Sequence, residues 1–296
     1  MAEALVALLP DRGVVSVTGA DAAQFLDNLV TNDLEGMAEG AARFAALLNP
    51  QGKILFEFFV VRTAAGFLLE TQLDRAADLA KRLQMYKLRS KVDVKSAPGE
   101  IVVAVSQGGV RVRPPEAIAF QDPREPRLGD RLLIPAPLVR SVLDVMGAQR
   151  LTPAQYDAQR IFLGVAEGGR DYVLGDAFPH EANFDLRHGV SFSKGCFVGQ
   201  EVVARMQNKT VVRKRVVRIG GKGLVSGGEV RVGEAVIGTI GTTTGSEALA
   251  ILRLDRVAEA LDKGIVVTAG DGPIVVDADA LAAYRHAVAT RPVIDL

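Results

Sequence analysis

The sequence has a single cysteine, Cys196, and no tryptophan. One thiol cannot close an intramolecular disulfide, and alone it cannot complete a thiolate zinc site or ligate an iron–sulfur cluster. Only three histidines are present, His180, His188 and His286. None belongs to a His/Cys/carboxylate group with metal-ligand spacing, so no resident metal is expected. Aromatic residues make up 5% of the chain, which argues against a platform of stacked rings for single-stranded nucleic acid. Charge of either sign is not in excess. Lys plus Arg is 35 and Asp plus Glu is 35, which argues against nucleic-acid binding by bulk electrostatics. Apolar runs of about 18 residues, the length a membrane helix needs, are missing. The densest stretch, Ile54 to Val61, is interrupted by Glu57. The start, Met1-Ala2-Glu3-Ala4-Leu5, has neither the basic region nor the apolar region of a secretory signal. A lone cysteine suits a reducing compartment. Together these features predict a soluble, cytoplasmic protein with no nucleic-acid or membrane partner.

What is present is ordinary globular material. Of 296 residues, 48% are hydrophobic and 24% charged, enough for a sizeable core in two or three domains. Residues 13–18 read as a strand, followed by a helix capped at Thr18 or Asp21. Phe25, Leu26, Leu29 and Val30 share one face of that helix. Residues 44–61 read as two strands joined by the turn Asn49-Pro50-Gln51-Gly52, and 67–71 as another. Ala76, Leu79, Ala80, Leu83 and Tyr86 recur at helical spacing and predict an amphipathic helix over 74–89. Strands are predicted at 101–105 and 109–113, a charged surface loop at 121–130 and a helix at 137–146. Thr152-Pro153-Ala154-Gln155 matches a capping box with proline at the first helical position. The helix it opens should end at Gly164. After about residue 208 the composition shifts. Nine glycines fall between Gly220 and Gly245, interleaved with Val, Ile and Thr, which predicts a small all-β barrel or sandwich. The predicted domains are therefore 1–207 and 208–296.

Four segments carry candidate chemistry. Ser193-Lys194-Gly195-Cys196-Phe197-Val198-Gly199-Gln200-Glu201 gathers an amine, a thiol, an amide and a carboxylate around two glycines. A thiol beside a cationic amine gains thiolate character, and Gln200 and Glu201 could orient such a pair. The plainer reading is a Gly-rich turn with a buried cysteine. Pro179-His180-Glu181-Ala182-Asn183-Phe184 offers Glu181, a carboxylate able to pair with the N–H edge of a heterocycle. Thr31-Asn32-Asp33 offers Asp33 as a general base or orienting acid, or simply a polar loop closing a helix. The run Lys209, Arg213, Lys214, Arg215 and Arg218 could bind phosphate or a polyglutamate tail, or form the charged outer face of a barrel strand. Arg89 and Arg205 could each clamp a carboxylate.

Lys194-Gly195-Cys196-Phe197-Val198-Gly199-Gln200-Glu201 resembles the K-G-C-[FY]-x-G-Q-E signature of the YgfZ family of folate-binding proteins. The resemblance continues through Thr31-Asn32-Asp33, Leu48-Asn49-Pro50-Gln51-Gly52-Lys53, Arg160-Ile161-x-Leu163-Gly164 and Pro179-His180-Glu181-Ala182-Asn183. It covers roughly residues 13–218. It implies an α+β fold like the T-protein (aminomethyltransferase) of glycine cleavage, a multi-domain ring around a central cleft, with a small C-terminal β-barrel. It further implies tetrahydrofolate, or a one-carbon derivative, as cofactor. The implied role is an accessory factor for maturation or repair of iron–sulfur proteins, with client proteins or cluster-assembly factors as partners. Under this resemblance the reactive candidates are Lys194, Cys196, Gln200, Glu201 and Asp33. The folate-binding candidates are Asn32, together with Glu181 for the pterin edge, Tyr86 or Phe192 for a wall, and Arg89 or Arg205 for the tail. The Cys turn stands where a T-protein is expected to have none, which weighs against a strict aminomethyltransferase. Two other functions stay open: a folate-dependent one-carbon transferase or demethylase, and a non-enzymatic module that docks a partner through its barrel.

Overall fold

The computed structural model describes residues 4–107 and 114–290. The expected strand at 109–113 lies outside them. The chain forms two compact units, each from discontinuous stretches: Met1–Leu48, Leu55–Tyr156 and Arg187–Val198 in one; Asn49–Ile54, Asp157–Leu186 and Gly199–Leu296 in the other. The α-helices among the described residues are α1 (Ala22–Asp27), α2 (Leu73–Tyr86), α3 (Val139–Val145), α4 (Pro153–Phe162), α5 (Gln200–Lys209), α6 (Leu254–Asp262) and α7 (Ala278–Thr290).

The first unit is built on two five-stranded sheets. One runs Ala42–Leu48, Ile54–Thr63, Gly66–Gln72, Arg12–Thr18, Asp93–Ser96 in spatial order. In Ala42–Leu48 every residue from Phe44 to Leu48 is buried. Such a strand is covered on both faces and reads as an apolar run, not an alternation. The amphipathic helix α2 buries Ala76, Leu79, Ala80 and Leu83, its i, i+3, i+4, i+7 stripe, in the same core. It stops at Tyr86 and not at residue 89. The second sheet runs Gln149–Leu151, Leu5–Leu9, Ile101–Gln107, Asp130–Pro135, Ile118–Gln121. The capping box at the start of α4 forms as its residues predict: the Gln155 backbone N–H donates to Thr152 Oγ1 at 3.2 Å, and the Thr152 N–H donates to Gln155 Oε1 at 2.8 Å. Gly164 follows α4 with φ of 65°, the left-handed position that ends a helix.

The charged stretch 121–130 is not the surface loop that its composition predicts. Asp122, Arg124, Leu128 and Asp130 are buried. Arg124 grips Asp122 with two hydrogen bonds, at 3.1 and 2.8 Å. Arg131 grips Glu70 the same way at 2.7 and 2.8 Å, and Arg12 adds a third contact to Glu70 at 2.6 Å. Arg124 and Arg131 both reach the Tyr156 hydroxyl at 3.2 Å. Arg12, Glu70, Asp122, Arg124 and Arg131 therefore enter the interior with opposite charges beside them, the condition under which burial of ions is tolerated. The cluster ties the two sheets of this unit together.

The second unit holds a seven-stranded antiparallel sheet: Gly272–Pro273, Val267–Ala269, Glu229–Val232, Ala235–Thr243, Glu247–Arg253, Lys214–Gly220, Val275–Val276. The expected all-β composition is incomplete. Helix α6 buries Leu254, Val257, Ala258 and Ala260 in the sheet's apolar core, and Leu281 and Tyr284 of α7 pack there as well. Arg160 of α4 is wholly buried and donates to Val165 O at 2.8 Å, to Thr242 Oγ1 at 2.7 Å and to Asp171. Asp171 in turn accepts from the Thr242 N–H at 2.8 Å. This fastens the end of α4 to the strand Ala235–Thr243.

Candidate functional site

In the first unit, Thr31-Asn32-Asp33 follows α1 and is stitched to residues 188–194. Thr31 Oγ1 donates to Gly189 O at 2.6 Å and accepts from the Ala46 N–H at 2.9 Å. Asn32 Nδ2 donates to Phe44 O at 2.8 Å and to His188 O at 2.6 Å, while its Oδ1 accepts from the Asp33 N–H. The Asn32 side chain is thus committed to holding the loop. Asp33 Oδ1 accepts from the Glu35 N–H at 2.9 Å, a short Asx-type turn.

Lys194 closes this arrangement. Its side chain is 2% exposed. The ammonium donates to Asp27 O at 2.6 Å, Asp27 Oδ1 at 3.0 Å, Val30 O at 3.1 Å and Asn32 O at 2.8 Å. The carbonyls past the end of α1 would otherwise lack partners, and a cation is favourable there. Burial lowers the Lys194 pKa, while Asp27 and Asp33 oppose the shift. The structure therefore brings Asp27, Asn32, Asp33 and Lys194 together. It directs the amine at oxygen atoms of 27–32. Asp27 has no motif to mark it, and sequence reasoning missed it.

The signature turn has buried anchors and an exposed centre. Phe197 is buried, and Val198 packs on the first unit's core. Lys194 lies over the Phe197 ring, 5.8 Å from its centroid. Between these anchors Cys196 is exposed. The plainer expectation of a buried cysteine is corrected: the thiol is at the surface, with the buried Lys194 side chain and Phe197 on either side of it. Phe192 is also exposed, whereas Tyr86 is half-buried against the core. Arg89 is exposed.

The second unit carries the other candidates. Gln200 and Glu201 open α5, with Gly199 as its N-cap at φ of 81°. A Cβ at Gly199 would lie 2.8 Å from Asn49 O, and one at Gly52 would lie 2.9 Å from Val202 Cβ. These two glycines let the turn Asn49-Pro50-Gln51-Gly52 and the start of α5 approach each other, a close contact that any side chain would block. Glu201 and Arg205 are exposed on α5. His180 is buried, with Nε2 3.0 Å from Gln207 Oε1.

Glu181 is half-buried. Its Oε2 accepts from the Phe178 N–H at 3.0 Å, and Oε1 has Lys214 at 4.0 Å. Burial raises its pKa, and Lys214 and the Phe178 N–H only partly offset that. Nearby, Lys53 pairs with Asp176 at 2.7 Å and lies over the Phe178 ring. The segment around Glu181 is tied to the strand Lys214–Gly220: its backbone O accepts from the Val216 N–H at 2.8 Å, and Asn183 donates to Val216 O at 2.7 Å. Arg215 grips Asp185 at 2.9 and 2.7 Å and donates to His180 O at 2.7 Å. Part of the basic run is therefore structural, with Arg215 locking the 180–185 loop onto the first barrel strand.

A heterocycle whose N–H edge meets a carboxylate fits this chemistry. Glu181 is anchored through Oε2, and its Oε1 makes no hydrogen bond among the described residues. The donor set thus leaves one carboxylate oxygen for a ligand.

Residues 11–108 match the GCVT N-terminal domain. Residues 213–283 match the CAF17 C-terminal beta-barrel domain. Among curated proteins, the chain is 34% identical over 229 residues to the Iron-sulfur cluster assembly factor IBA57 homolog, mitochondrial, of Mycosarcoma maydis. That match covers 72% of this chain and 56% of the relative. The chain is 36% identical over 232 residues to the human Iron-sulfur cluster assembly factor IBA57, mitochondrial, covering 70% of this chain and 64% of that protein. It thus spans little more than half of the fungal relative and under two thirds of the human one. Among solved structures, the glycine cleavage system aminomethyltransferase T from Bartonella henselae superposes with a TM-score of 0.71 at 16% identity. That match covers 93% of this chain and 84% of the other. The fold is therefore aminomethyltransferase-like with a C-terminal β-barrel, as the resemblance implied. Both curated relatives carry "mitochondrial" in their names, which overturns the expectation of a cytoplasmic protein.

Proposed function

We propose, from a chain that carries a GCVT N-terminal domain and a CAF17-type barrel, that this protein is a YgfZ-type, tetrahydrofolate-dependent accessory factor for maturation or repair of iron–sulfur proteins. The observation that carries the reading is the Cys196 turn: a lone thiol, exposed, and fixed between the buried Lys194 and Phe197. Its similarity to proteins named as iron–sulfur cluster assembly factors gives that thiol a context. One thiolate does not complete a cluster's ligand set, so the protein acts together with client proteins or assembly factors that supply the remaining ligands. Glu181 would hold the pterin N–H edge, and Phe178 and Lys53 stand beside it. Lys194 serves as a positioning residue for the loop that carries Asp33.

Cys196→Ser tests the thiol. Because the side chain is exposed, the variant should unfold at the same temperature as wild type. In cells lacking the protein it should leave iron–sulfur enzyme activities at the level of an empty vector. Full restoration of those activities by Cys196→Ser would remove the thiol from the account.

A further inference from the structure

The segment leaving α2 is anomalous in both charge and exposure. In a chain of zero net charge, residues 81–95 contain six cations and one acid, Asp93. Asp93 is paired with Lys95 at 2.5 Å. Among the described residues, Lys81, Arg82, Lys87, Arg89 and Lys91 have no carboxylate within ion-pair distance. Two apolar side chains stand out from this basic surface: Met85 is 64% exposed and Leu88 is 90% exposed. Leu88 also has φ of 43°. It occupies the first inner position of the turn Lys87–Ser90, closed by the Ser90 N–H donating to Lys87 O at 2.8 Å. Glycine or asparagine normally takes that left-handed position. Leucine is disfavoured there by its Cβ, and its side chain gains no burial in return.

The segment is also held stiffly. Helix α2 anchors one end. At the other, the Lys91 N–H donates to Asp21 Oδ2 at 2.7 Å, and Lys91 O accepts from the Asp21 N–H. The turn is thus tied at both ends, strained at Leu88 and cationic, and it displays a leucine that gains no burial from the described residues.

We propose that the turn Met85–Lys91 is a docking face for an acidic segment of a partner protein, one that places carboxylates against the unpaired cations and an apolar residue against Leu88. The inference deepens the accessory-factor reading and rests on it for the existence of a protein partner. A polypeptide is favoured over a lipid surface because the remaining apolar residues of α2 are buried in the core. Two side chains make a small contact and not the broad apolar face of a membrane-bound helix.

The probe is a short fluorescein-labelled peptide of alternating Glu and Leu, read by anisotropy with the full-length protein. Its counterpart with Gln in place of Glu serves as one control, and phosphatidylserine-containing vesicles as another. Wild type should bind the acidic peptide and not the Gln peptide, and added salt should weaken binding, because the screening length falls to about 10 Å at 0.1 M. Leu88→Gly should weaken binding about fivefold or more, the loss expected when a leucine side chain that is partly buried on binding is removed, and Lys91→Glu should weaken it as well. The melting temperature of Leu88→Gly should equal or exceed that of wild type, because glycine relieves the left-handed strain. A purely structural Leu88 would instead lower it. Absence of acidic-peptide binding, equal affinity of wild type and both variants, or binding of vesicles in place of peptide would each overturn the proposal. Tetrahydrofolate titrated into the same samples separates the two ideas. Folate binding without peptide binding removes the docking face and leaves the accessory-factor reading in place.

Discussion

Glu70→Gln is expected to destabilise the protein by about 3–5 kcal/mol, the cost of breaking a buried ion pair by removing one partner. Glu70 is fully buried and accepts from Arg12 at 2.6 Å and from Arg131 at 2.7 and 2.8 Å. The amide that replaces it leaves two buried guanidinium groups facing a neutral side chain. Urea unfolding measures the loss. Glu259→Gln is the control, because Glu259 and its partners Arg256 and Lys263 are all largely exposed and an exposed pair contributes at most about 1 kcal/mol. The effect also depends on pH in a defined direction. Burial raises the Glu70 pKa, but Arg12 and Arg131 outweigh it and hold the carboxyl below its ordinary 4.5. A lowered folded pKa means that the unfolded chain takes up protons first. The stabilisation is complete above the ordinary value and is lost as pH falls through the folded one. The gap between wild type and Glu70→Gln should therefore be widest near neutrality and close in acid. Equal urea midpoints for the two proteins at neutral pH would contradict the role given to this cluster.

Lys194→Met is expected to cost about 3 kcal/mol, the upper range for hydrogen bonds made to a charged group. The methionine keeps the stem but leaves Asp27 O, Val30 O and Asn32 O without their donor. Lys194→Arg should rescue poorly, since a planar guanidinium does not replace a compact ammionium among converging oxygens. Thermal unfolding supplies the stability. Alkylation of Cys196 supplies a second readout, because the thiol is exposed and does not depend on the amine for access. If Lys194 positions the loop, Lys194→Met is less stable while Cys196 still alkylates at a comparable rate. If the amine instead activates the thiol, alkylation collapses while stability holds.

Local structure was legible where its causes are local. The stripe Ala76, Leu79, Ala80, Leu83 marked α2, and Thr152 with Gln155 marked the start of α4, because each signal spans one or two helical turns. The stretch 121–130 differs from its sequence expectation because what makes it interior is distant: Arg124 reaches the Tyr156 hydroxyl across 32 positions. Composition described the stretch; its partners decided its burial. Helix α6 departs from the all-β expectation because its stripe of Leu254, Val257, Ala258 and Ala260 follows a glycine-rich, strand-forming region whose composition masks it. In the candidate site, the signature turn stood out through its residue types. The work its lysine performs did not, since Lys194 and Asp27 are 167 positions apart. The exposure of Cys196 depends on Phe197 and Val198 turning inward, and only the packed structure shows that.

The proposed folate site at Glu181 is open to anaerobic calorimetry of tetrahydrofolate with the wild-type protein and with Glu181→Ala. Wild type should bind with micromolar affinity, on the order of 8 kcal/mol, and Glu181→Ala should lose binding while retaining the wild-type melting temperature. Wild-type protein that binds no tetrahydrofolate, or a Glu181→Ala variant that binds it equally well, would remove the folate site from Glu181.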